Sequence, residues 1–297
     1  MKFSVITACF NSSETLGKTY SSLLQSTTID FEWILVDDCS TDDGKTQALM
    51  RNILLNAPFP VKLKFLNENY FGSRSTYEAC LIAEGEFACI LDHDDQITAD
   101  AFSVVLAHID KYENKKIAGI AGRCVDQQGR LIGKKFKKNV FICNEGDLIF
   151  KKKFSSELFQ FTKIDILRAT FLSLRPGYTN GFAWAKISVD FDFVFVNDIL
   201  RVYDMTLATS YSNNKNMHVM YPREKAEALQ STLEYYNDYL VWNPFYALRL
   251  AGSSIRHRLN ADRKLLIELP KKVSAKIFYV LGIPFGYVKY LITKLST

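Results

Sequence analysis

The stretch Phe87-Ala88-Cys89-Ile90-Leu91-Asp92-His93-Asp94-Asp95 sets an apolar run directly before three carboxylates in four positions. Five consecutive apolar residues read as a buried strand. Acids at the end of such a strand crowd one another, and each raises its neighbour's pKa unless a cation is present. Hard oxygen donors without a His or Cys cluster beside them select Mg²⁺ or Mn²⁺. These ions bind through one or two carboxylates while a diphosphate supplies further oxygens. A helix-loop-helix calcium site starting at Asp92 needs Gly at its sixth position and Glu at its twelfth, but Ile97 and Ser103 stand there. The plain alternative is an acidic turn into a helix, with Asp100 in its first turn facing the helix dipole.

The flanking sequence alternates strand and helix patterns. Lys2 to Ala8 is a β-rich run, and Asn11-Ser12-Ser13-Glu14 caps a helix carrying Leu16, Tyr20, Leu23 and Leu24 on its apolar face. A strand at Trp33 to Val36 is followed by a helix opened by Ser40, with Asp43 as its capping-box partner. Val61 to Leu66 reads as a strand, Ser73 to Ala83 as a helix, and Phe87 to Leu91 as the next strand. The alternation predicts an α/β fold with a mostly parallel sheet and helices on both faces. Ligands of such sheets sit beyond the carboxyl ends of the strands. Asp37, Asp38 and the cluster from Asp92 to Asp95 all fall at such ends.

Further on, a helix is predicted near Ala99 to Tyr112. Strands are predicted at Ile117 to Val125 and Leu131 to Ile142, around a Gln127-Gln128-Gly129 turn. A short helix leads from Thr162 to Arg168, Trp184 lies in another, Phe191 to Val196 reads as a strand, and Arg223 to Trp242 has helical spacing. The lysines at 134, 135, 137, 138 and 151 to 153 read as a solvated face.

A length of 297 residues, 48% hydrophobic and 23% charged, suits one globular α/β domain with an appendage. The expected division is a domain over 1–215 (a donor half, 1–125, and an acceptor half, 126–215) and a helical region over 216–297. Met1-Lys2-Phe3-Ser4-Val5-Ile6-Thr7 enters a strand pattern without an apolar leader, so a cytoplasmic location is expected. The six cysteines lack metal or redox spacing and read as reduced core residues.

The net charge of +5 is uneven: from Arg249 onward ten Lys or Arg face two acids, a local +8, which leaves −3 for the first 248 residues. The tail from Val273 to Leu295 is apolar but contains Pro284, Lys276, Lys289 and Lys294, which argue against a spanning helix. Two placements remain: an amphipathic segment held peripherally against anionic lipid, and a helix packed on the body. No nucleic-acid partner is expected.

Two nucleotide folds fail on motif. The glycine-rich turn of a dinucleotide fold is absent, since Thr7-Ala8-Cys9-Phe10-Asn11 follows the first strand. Gly44-Lys45-Thr46 has the last letters of a phosphate loop, but Ser40 stands where its first Gly is required. A nucleotidyltransferase would need a basic, glycine-rich loop after the first strand, and residues 8 to 14 hold neither Gly nor Lys.

Instead, Val5-Ile6-Thr7-Ala8-Cys9-Phe10-Asn11, Trp33 to Asp42, and Ala83-Glu84-Gly85-Glu86-Phe87 leading into Leu91 to Asp95 resemble the family 2 glycosyltransferases of GT-A fold, over about residues 1 to 125. The resemblance implies a Rossmann-like sheet and a nucleotide-sugar site formed by Ala8, Phe10, Asp37, Asp38, Asp92, His93 and Asp94. Asp38 would contact the nucleobase, and His93 takes the variable place in the motif. Asp92, Asp94 and Asp95 would hold Mg²⁺ or Mn²⁺, and Arg74 could pair with a diphosphate oxygen.

Such enzymes invert the anomeric centre, which requires a carboxylate base. Asn180, in Tyr178-Thr179-Asn180-Gly181-Phe182-Ala183-Trp184, occupies its expected place, and an amide cannot serve as the base. Glu157 is the substitute chosen over Asp190 and Asp192, which alternate with aromatics as on the wet face of a strand. Gln127-Gln128-Gly129-Arg130-Leu131 lacks the Trp of processive members, which favours single-sugar transfer. The expected activity is transfer from a UDP- or dTDP-sugar to a glycan acceptor, lipid-linked, in surface-polysaccharide assembly. The alternative is a nucleotide-sugar-binding or scaffold protein that has lost turnover.

Overall fold

The computed structural model describes residues 1–28, 30–70, 72–112, 116–175, 178, 180–205, 220–262 and 269–295. It forms two compact units that interleave in sequence. One takes Met1–Cys143, Ser156–Leu174 and Phe191–Thr206, and the other Asn144–Ser155, Arg175–Asp190 and the chain from Leu207.

The first unit is built on a nine-stranded sheet. In chain order its elements are β1 (Phe3–Cys9), α1 (Leu16–Leu24), β2 (Phe31–Asp37), α2 (Lys45–Asn56), β3 (Val61–Phe65), α3 (Ser73–Ile82), β4 (Phe87–Ile90), β5 (Gln96–Ile97), α4 (Ala101–Tyr112), β6 (Ile117–Val125), β7 (Val140–Cys143), β8 (Leu158–Lys163), α5 (Ile164–Phe171) and β9 (Asp192–Val202). The strand order is β3-β2-β1-β4-β8-β6-β9-β5, with β7 on β9. The strands β3, β2, β1 and β4 are mutually parallel, as the alternation predicts. Beyond β4 the sheet is mixed, with antiparallel β4/β8 and β6/β8 pairs.

Every residue of β2 is buried, which suits a strand covered on both faces. Glu32 lies within it, and four neighbours compensate its charge: Lys62 Nζ at 2.8 Å, the Ser4 hydroxyl at 2.7 Å, and the backbone N–H groups of Glu84 (2.6 Å) and Gly85 (3.2 Å). Burial alone would raise this carboxyl; Lys62 and the hydrogen bonds hold it below its ordinary range. Gly85 is required at that crossing, because a Cβ there would lie 2.5 Å from the Phe3 carbonyl carbon. Phe102, on α4, closes the core against Phe3, Phe31 and Phe161, at ring separations of 5.2, 4.7 and 5.7 Å.

Three local expectations change. The second helix begins at Lys45, after Gly44 in the left-handed region (φ 77°), and Asp42 caps it: its carboxylate accepts from the Thr46 N–H (3.0 Å) and hydroxyl (2.6 Å). Ser40 bonds Asp37 instead. The Leu131 to Ile142 segment is a strand only from Val140, because Gly133 turns the backbone (φ 79°) and Arg123 gathers the carbonyls of Ile132 and Lys134. The strand expected to stop at Val196 runs on to Val202.

The second unit is helical among its described residues. It contains a π-helical turn (Asp147–Lys151), α6 (Asn180–Ile187), α7 (Pro222–Tyr235), a 3-10 turn (Leu240–Trp242), α8 (Pro244–Ala261) and α9 (Val273–Leu295). Its core joins Phe150, Leu233, Tyr236, Leu240, Ala251, Ile255 and Tyr279.

Candidate functional site

Because β1 lies between β2 and β4, the carboxyl ends of three parallel strands meet at one edge of the sheet. Asp37 and Asp38 leave β2, Phe10 and Asn11 leave β1, and the acidic cluster leaves β4. The loops are pinned together before any ligand is considered. The Asp38 N–H donates to the Cys9 carbonyl (2.7 Å), and the Leu91 N–H donates to Ile6 (2.9 Å). Asn11, in the left-handed region (φ 50°), accepts the Thr41 N–H at 2.7 Å and donates to the Thr41 hydroxyl at 3.2 Å.

Asp37 is fully buried and has a structural duty: Oδ1 accepts from the Ser40 hydroxyl (2.5 Å) and Oδ2 from Gln47 Nε2 (2.8 Å). Asp38, 3% exposed, accepts the N–H groups of Tyr70 (2.8 Å) and Gly72 (3.0 Å), one on each oxygen. A carboxylate offers about four acceptor positions, and these two donors among the described residues fill one on each oxygen. Phe10 is exposed at the strand end, while Ala8 is half-buried. Arg74 pairs with Glu78 one turn along α3 and packs over the Tyr77 ring.

In the cluster, one oxygen from each of Asp92, Asp94 and Asp95 lies within 4.8 Å of the others. Donors on opposite sides of an octahedral Mg²⁺ or Mn²⁺ sit about 4.2 Å apart, so small side-chain adjustments make this hard-oxygen set fit such an ion. The three are not equivalent. Asp92 is exposed and Asp94 half-buried, whereas Asp95 is buried and anchored. Asp95 Oδ1 accepts the Asp204 N–H at 2.8 Å, and Oδ2 lies 3.2 Å from Arg201 Nη1. Burial pushes the Asp95 carboxyl up to about 8, against the pull of Arg201, and Asp92 adds to the rise. His93 is a turn residue, its Nδ1 2.8 Å from the Thr15 hydroxyl.

Arg201, near the end of β9, is the residue that sequence reasoning missed. It is almost wholly buried, sits over the rings of Phe159 and Tyr203, and binds Asp95 with one nitrogen and Glu157 with the other (Nη2 to Oε1, 2.6 Å). One guanidinium therefore links Glu157 to the acidic cluster. Glu157 keeps 45% of its side chain exposed. Asp192 opens β9 opposite Ile117, and Arg201 lies opposite Cys124, seven residues on in β6, so at about 3.3 Å per residue Asp192 sits roughly 23 Å along the sheet from Arg201. Asp190 belongs to the other unit. Asn180 opens α6, but its side chain and Thr179 lie outside the described residues. The available signal for Arg201 was a lone cation among the apolar residues of Leu200-Arg201-Val202.

Comparison with known proteins fits this geometry. The TarS protein of Staphylococcus aureus, a poly(ribitol-phosphate) beta-N-acetylglucosaminyltransferase, is 33% identical over 134 residues, 43% of this chain and 23% of TarS. A Campylobacter jejuni GalNAc(5)-diNAcBac-PP-undecaprenol beta-1,3-glucosyltransferase is 28% identical over 210 residues, 68% of this chain and 64% of that protein. The chain thus spans about a quarter of the first relative's length and under two thirds of the second's.

Among solved structures, TarS 1–349 with UDP-GlcNAc superposes with a TM-score of 0.63 at 17% identity, covering 98% of this chain and 92% of that one. The mannosyltransferase PcManGT of Pyrobaculum calidifontis, with GDP-Man and Mn²⁺, gives 0.61 at 14% identity, covering 98% and 87%. These likenesses show the GT-A fold. Residues 4–163, more than half of the chain, match the family described as Glycosyl transferase family 2. The chain belongs to that family.

Proposed function

We propose that the chain transfers a single sugar from a UDP- or dTDP-activated donor to a glycan acceptor, with Mg²⁺ or Mn²⁺ and with inversion. The acidic cluster at the shared carboxyl edge of β1, β2 and β4, beside Asp38, is the observation that carries this reading. Asp92 and Asp94 would hold the ion, with Asp95 completing the group from its anchor on Arg201. When bound, the ion would neutralise charge on the departing nucleoside diphosphate. Asp38 would accept the N3–H that uracil and thymine share, with its own position fixed by Tyr70 and Gly72. The backbone at Ala8 and Phe10 would line the nucleoside, and Asp37 would hold the Ser40 loop in register beside it.

Glu157 is the proposed base, since it is the carboxylate tied to the cluster through Arg201 and still half open to solvent. It would take the acceptor hydroxyl's proton as that oxygen attacks the anomeric carbon. Arg201 would fix its orientation, and Arg74, if it leaves Glu78, would reach a diphosphate oxygen. Because the Campylobacter relative is named for an undecaprenol-linked acceptor, a lipid-linked glycan is the proposed acceptor class, in surface-polysaccharide assembly at the cytoplasmic face of a membrane.

The test is release of UDP from UDP-GlcNAc, UDP-glucose and dTDP-sugars, with Mn²⁺ and undecaprenyl-diphosphate glycans. Turnover should appear with one donor and fall by at least a hundredfold in Glu157→Gln. Transfer left intact in that variant would remove Glu157 from the mechanism. Asn180 at the usual base position favours a second reading, a nucleotide-sugar-binding scaffold. Tight donor binding without release of UDP, whatever the acceptor, would establish it.

A further inference from the structure

Helix α9 packs with one face only. At 100° per residue, Ala275, Phe278, Tyr279, Gly282, Gly286 and Tyr290 share a side, and all of them are buried. The approach to α8 is at backbone distance. A Cβ on Gly282 would lie 2.5 Å from the Ala251 Cβ, and one on Gly286 would lie 2.6 Å from the Ile255 Cβ.

The opposite side is apolar and exposed. Ile277, Leu281, Phe285, Val288 and Ile292 recur every three or four residues, each 53–61% exposed, in a stripe about 22 Å long. Lys276 and Lys294 flank the exposed apolar side, whereas Lys289, about 20° from Phe278 and Gly282, is half-buried towards α8. The 18 residues of α8 and the 23 of α9 hold six Lys or Arg and no Asp or Glu. Burial, with Arg256 and Arg249 nearby, pushes the Lys289 ammonium down.

An apolar stripe of this size in water needs a partner. Charge selects which one: an anionic lipid surface matches the acid-free helix pair, whereas a second copy of the same cationic face repels it. By length and composition Val273–Lys294 could cross a membrane. However, α8 occupies one whole side of it, and three lysines would have to leave the water.

We propose that the outward stripe of α9 lies in the headgroup region of an anionic bilayer, in the membrane plane, with Lys276 and Lys294 reaching lipid phosphates. Phospholipid binding itself needs no turnover; only the further step, that this brings a lipid-linked acceptor within reach, rests on the transferase reading.

The full chain is sedimented with vesicles of phosphatidylcholine alone and with added phosphatidylglycerol. Binding should be at least tenfold tighter with phosphatidylglycerol, weaken at high salt, and release into alkaline carbonate. Lys276→Gln with Lys294→Gln should cost about twenty-fivefold, near fivefold for each charge. Leu281→Glu with Ile292→Glu should cost more than tenfold while the melting temperature stays unchanged, because both side chains are exposed.

Unaltered binding in the glutamate variant, or no preference for the anionic vesicle, overturns the proposal. Retention in carbonate overturns it in favour of a spanning helix, and a dimer abolished by Leu281→Glu without vesicle binding overturns it in favour of a second copy. UDP binding measured on the same preparation keeps these outcomes separate from failure of the donor site.

Discussion

Replacing Arg201 with Met keeps the length of the side chain and removes the charge that Asp95 and Glu157 share. Asp95 is 1% exposed and its carboxyl is pushed up to about 8, so at pH 9, where it is ionised, its carboxylate is left in the interior without its cation. Two unit charges 3.2 Å apart attract by about 5 kcal/mol at an effective dielectric of 20, and breaking buried pairs of this kind costs about 3–5 kcal/mol. Lost stacking on Phe159 and Tyr203 adds about 1 kcal/mol. Asp95→Asn alone should cost less, about 1–3 kcal/mol, because Arg201 keeps Glu157. The double variant leaves no orphaned charge at position 95, so its loss should be smaller than the sum of the singles by at least 2 kcal/mol. Urea unfolding at pH 9 followed by fluorescence, with Trp33 buried in this sheet, measures all four corners of the cycle. Losses that add to within about 0.5 kcal/mol would show that the pair is not coupled and would refute this view of the cluster's anchor.

Other outcomes follow from the helical unit. Burial pushes Glu145 from its ordinary 4.5 up to about 7, while the Tyr236 hydroxyl, donating to it, pulls the other way. The folded state therefore holds this proton more tightly than the unfolded chain. The stabilisation is full below about pH 4.5 and is lost as pH rises through about 7, at most about 3 kcal/mol in all. Glu145→Gln should flatten the fall in melting temperature between pH 5.5 and 8.5; an unchanged slope would exclude Glu145 as its source. Gly286→Ala should lower the melting temperature despite the better helix propensity of Ala, since the added methyl meets Ile255 at 2.6 Å and overpacking costs about 1–3 kcal/mol. A rise would mean that α8 and α9 separate more easily than their packing implies.

Long apolar periods were legible in the sequence. The run from Val273 to Leu295 is α9 to the residue, and β1, β2, β3 and β4 follow their apolar runs to within two residues at each end. What escaped depends on contacts far apart in the chain. Arg201 meets Asp95 because β5 pairs with β9, Ile97 opposite Arg201, and no local pattern announces a pairing across some hundred residues. The Leu131 to Ile142 segment has strand composition, but Arg123 draws its carbonyls inward and Gly133 turns it, so side-chain capture overrides propensity there. Asp37 and Asp38 look alike in sequence. The structure separates them: the first is committed on both oxygens to side chains of its own loop and helix, while the second holds the 70–72 backbone.

The donor site is tested most directly by calorimetric titration of UDP into the full chain, with Mn²⁺ and then with EDTA, for the wild type and for Asp92→Asn and Asp94→Asn. The geometry predicts micromolar binding that needs Mn²⁺ and weakens at least thirtyfold in either variant, about 2 kcal/mol for a lost ion-bridged diphosphate contact. UDP affinity indifferent to EDTA and to both substitutions would contradict a metal-diphosphate site at this cluster.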